Sequence, residues 1–229
     1  MNIPYFQKLT LLDFPGKTAA TVFTHGCNFR CPFCHNASLV ARPAADSIEP
    51  EEFFDFLQKR QGLLDGVCIT GGEPLMQPDI AAFIRRIKAL GYAVKLDTNG
   101  SFPDRLEALL REELVDYVAM DIKNSREKYG EITGLASVPL DKIERSVELL
   151  KTLAPDHEFR TTAVKDFHTV EDFANIGRWL AGDDKYYIQC FKDSGDLLQN
   201  GLSAFDENAL EALRQAILPY LPNARLRGI

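Results

Sequence analysis

The chain has 229 residues, a hydrophobic fraction of 45% and a formal net charge of −7. That length fits one domain or two small ones with enough apolar residues for a sizeable core. The acidic balance argues against a nucleic-acid groove, which needs clustered lysine and arginine, and is compatible with a protein partner.

Short apolar runs alternate with amphipathic helical patterns along the chain. Residues 1–18 form an N-terminal lead-in. Strands are predicted over Ala19–Thr24, Gly66–Thr70, Ala93–Asp97, Tyr117–Ile122, Glu158–Val164 and Tyr186–Phe191. Helices are predicted over Glu51–Gln61, Asp79–Leu90, Asp104–Glu113, Leu140–Leu153, Val170–Leu180 and Asp206–Leu218, from apolar residues recurring at three- and four-residue spacing. Leu197–Ala204 reads as a loop. Six strand-then-helix units imply a parallel sheet, and right-handed crossovers favour its curling into a partial six-stranded barrel over a flat doubly wound sheet.

Polar motifs fall at the carboxyl ends of these strands, on the rim where parallel α/β folds build their sites. Behind the first strand, Cys27, Cys31 and Cys34 are spaced C-x3-C-x2-C. Three thiolates leave a four-coordinate zinc short of one ligand, and on a [4Fe–4S] cluster they leave one iron open. A zinc knuckle completed by His25 or His35 is the alternative. Cys68 and Cys190 lie within apolar strands and read as small buried residues; His157 and His168 read as surface residues.

Gly71-Gly72-Glu73-Pro74 follows the second strand. It is either an ordinary turn into a helix or a place where backbone and a carboxylate approach a ligand. Asp97-Thr98-Asn99-Gly100 is either a helix cap and turn or a set of oxygen ligands for a hard cation. Asp121 and Lys123 alternate on one strand and so share a face, as a salt bridge or as ligand contacts. Arg160 points either inward to an anion or outward to water.

The cysteine run with an aromatic, Phe33, before its last cysteine, followed by G-G-E-P after the second strand, resembles the radical S-adenosylmethionine (SAM) enzymes. The likeness spans nearly the whole chain and implies one domain over 1–229 with the partial (β/α)6 TIM-like barrel of that family. Cys34-His35-Asn36, Asp97–Gly100 and Met120-Asp121-Ile122-Lys123 narrow it to activating enzymes of glycyl radical enzymes. Leu11-Leu12-Asp13-Phe14-Pro15-Gly16-Lys17 is most like the activating proteins of anaerobic ribonucleoside-triphosphate reductase.

The resemblance implies that Cys27, Cys31 and Cys34 hold a [4Fe–4S] cluster whose open iron takes the amino and carboxylate groups of SAM. An electron from flavodoxin or ferredoxin then splits the sulfonium bond to a 5′-deoxyadenosyl radical, which takes hydrogen from a glycine of the partner enzyme. By the same carry-over Phe33 and Asn36 meet adenine or ribose. Gly71, Gly72 and Glu73 meet the methionyl amine, and Lys123 and Arg160 its carboxylate or the ribose. Asp97, Thr98 and Asp121 match a monovalent-cation site, and Asp97 and Asn99 count among the cofactor-binding residues. Asp13 faces the incoming glycine loop, and Gln189 stands where the family carries a late-strand histidine. A radical enzyme acting on a small molecule, like the deazaguanine-forming synthases, and a zinc-stabilised binding module are the other readings. The lack of a signal-peptide pattern at Met1–Tyr5, of any apolar run near the ~18 residues that span a bilayer, and of a disulfide framework leads to the expectation of a cytoplasmic protein without membrane or nucleic-acid partners.

Overall fold

A computed structural model describes residues 1, 3–41, 47–135 and 137–228. The elements in chain order are β1 (Tyr5–Thr10), β2 (Ala19–Thr24), α1 (Ala37–Ala41), α2 (Pro50–Gln58), β3 (Gly66–Gly71), α3 (Ile80–Ala89), β4 (Ala93–Thr98) and α4 (Pro103–Arg111). They continue with β5 (Tyr117–Asp121), α5 (Tyr129–Thr133), α6 (Leu140–Leu153), β6 (His157–Ala163), α7 (Val170–Leu180), β7 (Tyr186–Cys190), α8 (Glu207–Ile217) and β8 (Arg225–Arg227). A 3-10 turn covers Pro74–Met76.

All eight strands form one sheet in sequence order. Strands β2 to β8 run parallel, whereas β1 pairs antiparallel to β2. The six expected strands are therefore present with two additions, one at each edge. The lead-in contributes β1, and the C-terminus contributes β8. The expected strands end within a residue or two of their observed bounds, and Leu140–Leu153 and Val170–Leu180 coincide with α6 and α7. The helix expected over Glu51–Gln61 starts at Pro50, a residue suited to the first turn, and stops at Gln58.

Helices α2, α3, α4, α6, α7 and α8 each bury one apolar stripe. In α3 the buried residues are Ile80, Phe83, Ile84 and Ile87, the 3.6-residue period of a half-buried helix. Phe83 stacks on Phe53 of α2 with ring centroids 5.8 Å apart. Thr169 and Asp172 close a reciprocal capping box at the start of α7, which fixes that boundary locally.

The inward face of the sheet is unusual for its charge. Period-two alternation puts Cys68 and Thr70 of β3, Lys95 and Asp97 of β4, Asp121 of β5 and Glu158 and Arg160 of β6 on that side. The amino end of the barrel is filled instead by Phe14 from the lead-in, which packs with Ala19, Tyr117 and Ala119. Its ring lies 6.2 Å from that of Tyr117 and approaches Gly66 so closely that a Cβ there would sit 2.9 Å from it. Phe14→Ala is expected to lower stability by about 3–4 kcal/mol through the cavity it leaves, as a shift in urea midpoint would show.

Candidate active site

Three strand-end loops are stitched together before any ligand is considered. The Gly72 amide donates to the Thr24 carbonyl at 2.9 Å and the Glu73 amide to the Gly26 carbonyl at 2.8 Å. These bonds lay the G-G-E-P turn directly against the start of the cysteine loop. Gly71 has φ +108°, a conformation open to glycine. Gly72 is required for a different reason, since a Cβ there would overlap the Gly26 carbonyl. The other side of the cysteine loop is held by the Arg30 amide on the Thr133 carbonyl at 2.7 Å and the Gln199 amide on the Pro32 carbonyl at 3.0 Å.

The result is a cavity of about 400 Å³ at the carboxyl ends of the strands. Cys27, Cys31 and Cys34 line it with Asp13, Phe33, Asn36, Gly71 and Gly72. So do Asp97, Thr98, Asn99, Asp121, Lys123, Arg160 and Gln189. Every expected site residue except Glu73 thus reaches one pocket. Asn36 donates to the Gly71 carbonyl at 2.9 Å. Asn99 Nδ2 lies 3.7 Å from Cys27 Sγ and 3.0 Å from Asn28 Oδ1. Asp13 accepts from the Thr21 hydroxyl at 2.5 Å. The Phe33 ring is buried in a small apolar cluster with Ile132, Val164 and Phe191.

Glu73 is the first departure. Its side chain is fully buried and is absorbed by the fold. Oε1 accepts from the Leu75 amide at 3.0 Å and the Thr98 hydroxyl at 2.9 Å, and Oε2 accepts from the Asn99 amide at 2.7 Å. The carboxylate therefore ties the end of β3 to the end of β4 and does not line the cavity. Burial raises its pKa to about 7 against the pull of those three donors. Glu73→Gln would, in either amide orientation, turn its NH2 toward at least one of these donors, and is expected to lower stability by about 1–3 kcal/mol in a denaturant titration.

The second departure concerns the cation expected at Asp97, Thr98 and Asp121. Asp97 pairs with Lys95 and, through Oδ2, with Arg160 at 3.1 Å. Asp121 accepts from Arg160 Nε at 2.5 Å and from Lys123 Nζ at 2.9 Å. Burial opposes charge on Asp121, but Arg160 and Lys123 hold its carboxyl well below the usual carboxylate range. Burial likewise opposes charge on Lys123, and Asp121 outweighs it. Both the salt bridge and the inward arginine are thus present. Three cations on two carboxylates leave the set one positive charge in excess, suited to an anionic ligand group.

Other expectations are corrected. His168 is buried at 2% exposure, with Nε2 donating to the Lys123 carbonyl at 2.9 Å. His157 pairs with Asp183 at 2.7 Å. Cys68 is fully buried, but Cys190 is half-buried and lines the cavity. Phe23, His35, Thr70 and Thr162 also line it. Strand alternation was the available signal for Phe23, Thr70 and Thr162, which share the inward face with Thr21, Cys68 and Arg160.

Among the described residues no three His, Cys, Asp or Glu side chains converge on one metal ion. The three cysteines share one cavity, and cysteine thiolates are the ligands of iron–sulfur clusters. His35 is turned from them, stacking on Phe191 with Nε2 2.9 Å from the Lys192 carbonyl. Burial pushes the Cys27 thiol up to about 12 and Cys31 to about 11, so metal loading must release their protons. Iron–sulfur reconstitution at limiting iron is accordingly expected to become more favourable as pH rises from neutral, measured by the absorbance of the loaded protein.

The Radical SAM superfamily model matches residues 21–180. The chain belongs to the radical SAM superfamily. A provisionally named glycyl-radical enzyme activating enzyme of Methanocaldococcus jannaschii is 34% identical over 229 residues, covering 96% of this chain and 93% of that protein. The pyruvate formate-lyase-activating enzyme of Clostridium pasteurianum is 30% identical, covering 64% of this chain and 63% of its own. A 7-carboxy-7-deazaguanine synthase of Methanopyrus kandleri is 35% identical over 130 residues, 48% of this chain and 51% of that one. In fold, the chain matches Streptococcus suis SuiB bound to S-adenosylmethionine with TM-score 0.70 and 15% identity, covering 91% of this chain and 52% of that structure. The partial-barrel fold and an oxidoreductase-type radical SAM enzyme are thereby established. Membership implies a [4Fe–4S] cluster and SAM as cofactors, and counts against the zinc-module reading. Among the described residues no helix is long and apolar enough to cross a membrane.

Proposed function

We propose that this enzyme installs a glycyl radical on a partner protein by direct hydrogen abstraction, the partner being anaerobic ribonucleoside-triphosphate reductase. The observation that carries the site is convergence: three cysteines from one loop and polar groups from five other strand ends line a single cavity. Cys27, Cys31 and Cys34 would hold the cluster, which with bound SAM supplies reductive cleavage to a 5′-deoxyadenosyl radical. Lys123 and Arg160 carry the excess positive charge that receives the methionyl carboxylate. The Gly71–Gly72 backbone meets the amine, and Asn36 and Phe33 border the adenosyl moiety.

The activator reading rests on the full-length likeness to the M. jannaschii protein and on the lead-in. That segment brings Asp13 into the cavity while leaving Leu11 and Leu12 exposed, at 68% and 90%, beside it. No hydrogen-bonded ladder joins β8 to β1 among the described residues, so the sheet is open at its edges, where a peptide loop can enter. The external electron is assigned to flavodoxin or ferredoxin.

The partial match to a deazaguanine synthase favours a second reading, in which the radical acts on a free metabolite. Incubation of reconstituted protein with SAM and dithionite is expected to give 5′-deoxyadenosine under both readings; none at all would refute both. Deuterium moving from a glycine-labelled reductase into 5′-deoxyadenosine supports the activator, and deuterium from a labelled metabolite with none from glycine supports the alternative.

A further inference from the structure

The four carboxylate oxygens expected to hold a monovalent cation are each engaged by a side-chain cation of this chain. Lys95 Nζ takes Asp97 Oδ1, Arg160 Nη2 takes Asp97 Oδ2, Arg160 Nε takes Asp121 Oδ1 and Lys123 Nζ takes Asp121 Oδ2. The third expected ligand is committed as well. The Thr98 hydroxyl donates to Glu73 and accepts from the Gly100 amide at 3.1 Å. The residues present therefore do not fit a bound potassium or sodium ion.

We infer that Lys95, Arg160 and Lys123 are built-in counter-charges that replace a monovalent cation, with Lys95 as the positioning residue that anchors the set. Lys95 does not line the cavity. It lies beneath it, 2% exposed, two residues before Asp97 on the inward face of β4. Its ammonium is 3.9 Å from Cys68 Sγ and 6.0 Å from the Tyr117 ring centre, and among the described residues its salt bridge is to Asp97, with Glu158 near enough to feel its charge but paired to Arg227. A buried ammonium and carboxylate must stay together, because separating either one strands a charge in a low-dielectric interior. Asp97 is thus fixed from below and fixes Arg160. Arg160 fixes Asp121, and Asp121 orients Lys123 at the cavity surface. An exchangeable ion in this place would make ligand affinity depend on salt identity, whereas a covalently attached ammonium does not.

The test has two arms, and only the second rests on the radical SAM reading of the cavity. First, the cluster-free protein is melted at equal ionic strength in potassium, sodium and tetramethylammonium chloride. The wild type is expected to melt at one temperature in all three. Lys95→Met, which frees Asp97 Oδ1 while Arg160 keeps Oδ2, is expected to be stabilised selectively by potassium or sodium. Second, SAM binding to the reconstituted enzyme is measured in the same salts. Wild-type affinity is expected to agree within about twofold, and Lys95→Met to bind about tenfold more weakly in tetramethylammonium, with recovery in potassium. A wild type whose melting or SAM binding needs potassium or sodium would overturn the inference, as would a Lys95→Met protein that binds SAM normally in every salt. Should that variant not fold, the wild-type salt series decides alone. Absence of SAM binding in any salt would count against the cofactor reading, with the melting arm still deciding the cation.

Discussion

Cys31→Ala is expected to give a colourless protein without cluster iron after anaerobic reconstitution, while Cys68→Ala retains about four irons per chain. The contrast follows from position. Cys31 shares the cavity with Cys27 and Cys34, and a cluster held by three thiolates has none to spare. Cys68 is fully buried and faces Lys95 and Asp97 beneath the cavity floor. Iron and sulfide analysis with the visible spectrum reads both variants. Iron lost from Cys68→Ala would mean that a ligand has been misplaced; iron kept by Cys31→Ala would contradict the three-thiolate site.

Gly72→Ala carries the second large effect. The added methyl would overlap the Gly26 carbonyl, which also accepts the Glu73 amide. Backbone cannot yield there as the tip of a flexible side chain would. The two loops must part, at a cost of about 1–3 kcal/mol in stability. A displacement of about 1 Å between the turn and the cysteine loop is enough to lower 5′-deoxyadenosine formation on the order of 100-fold. Gly130→Ala is the matched control. It lies within α5, its Cβ would meet nothing nearer than Val138 at 3.9 Å, and alanine favours helix. The rate of 5′-deoxyadenosine formation, normalised to iron content, separates a lost cluster from a misaligned cavity.

The features that could be read from the sequence are the locally determined ones. Thiolate spacing, the glycine pair and the alternation of Asp121 with Lys123 are short-range patterns. So are the apolar periods of α6 and α7, and each of these appears in the structure in the expected place. β1 was not legible because its burial barely alternates: four of its six residues are exposed, and it is a strand through pairing with β2. β8 has three residues, Arg225–Arg227, and exists through its register with β7. The destination of Glu73 depended on Thr98 and Asn99 at the end of a neighbouring strand. The ion-pair chain depended likewise on cross-strand register, which sets Asp121 against Arg160. Lys95 did leave a trace, as a lysine two residues before Asp97 in an otherwise apolar strand. Such a charge on an inward face needs a buried partner.

The electrostatics assign a division of labour within the cavity. The cysteine side supplies three neutral thiols for metal loading. The opposite wall supplies a rigid chain of ion pairs with one surplus positive charge. Between them, the glycine backbone brings unshielded peptide groups to the same space. The lead-in closes the amino end of the barrel with Phe14 while the next residue back, Asp13, enters the cavity. One short segment therefore both seals the core and reaches the reaction site.

Hydrogen abstraction from the partner's glycine is read by mixing the reconstituted enzyme, SAM and a reductant with anaerobic ribonucleoside-triphosphate reductase carrying α-deuterated glycine, then recording the electron paramagnetic resonance spectrum and the isotope content of 5′-deoxyadenosine. A glycyl radical signal on the reductase and deuterium in the nucleoside are expected. Abundant 5′-deoxyadenosine with neither radical nor deuterium would contradict that abstraction.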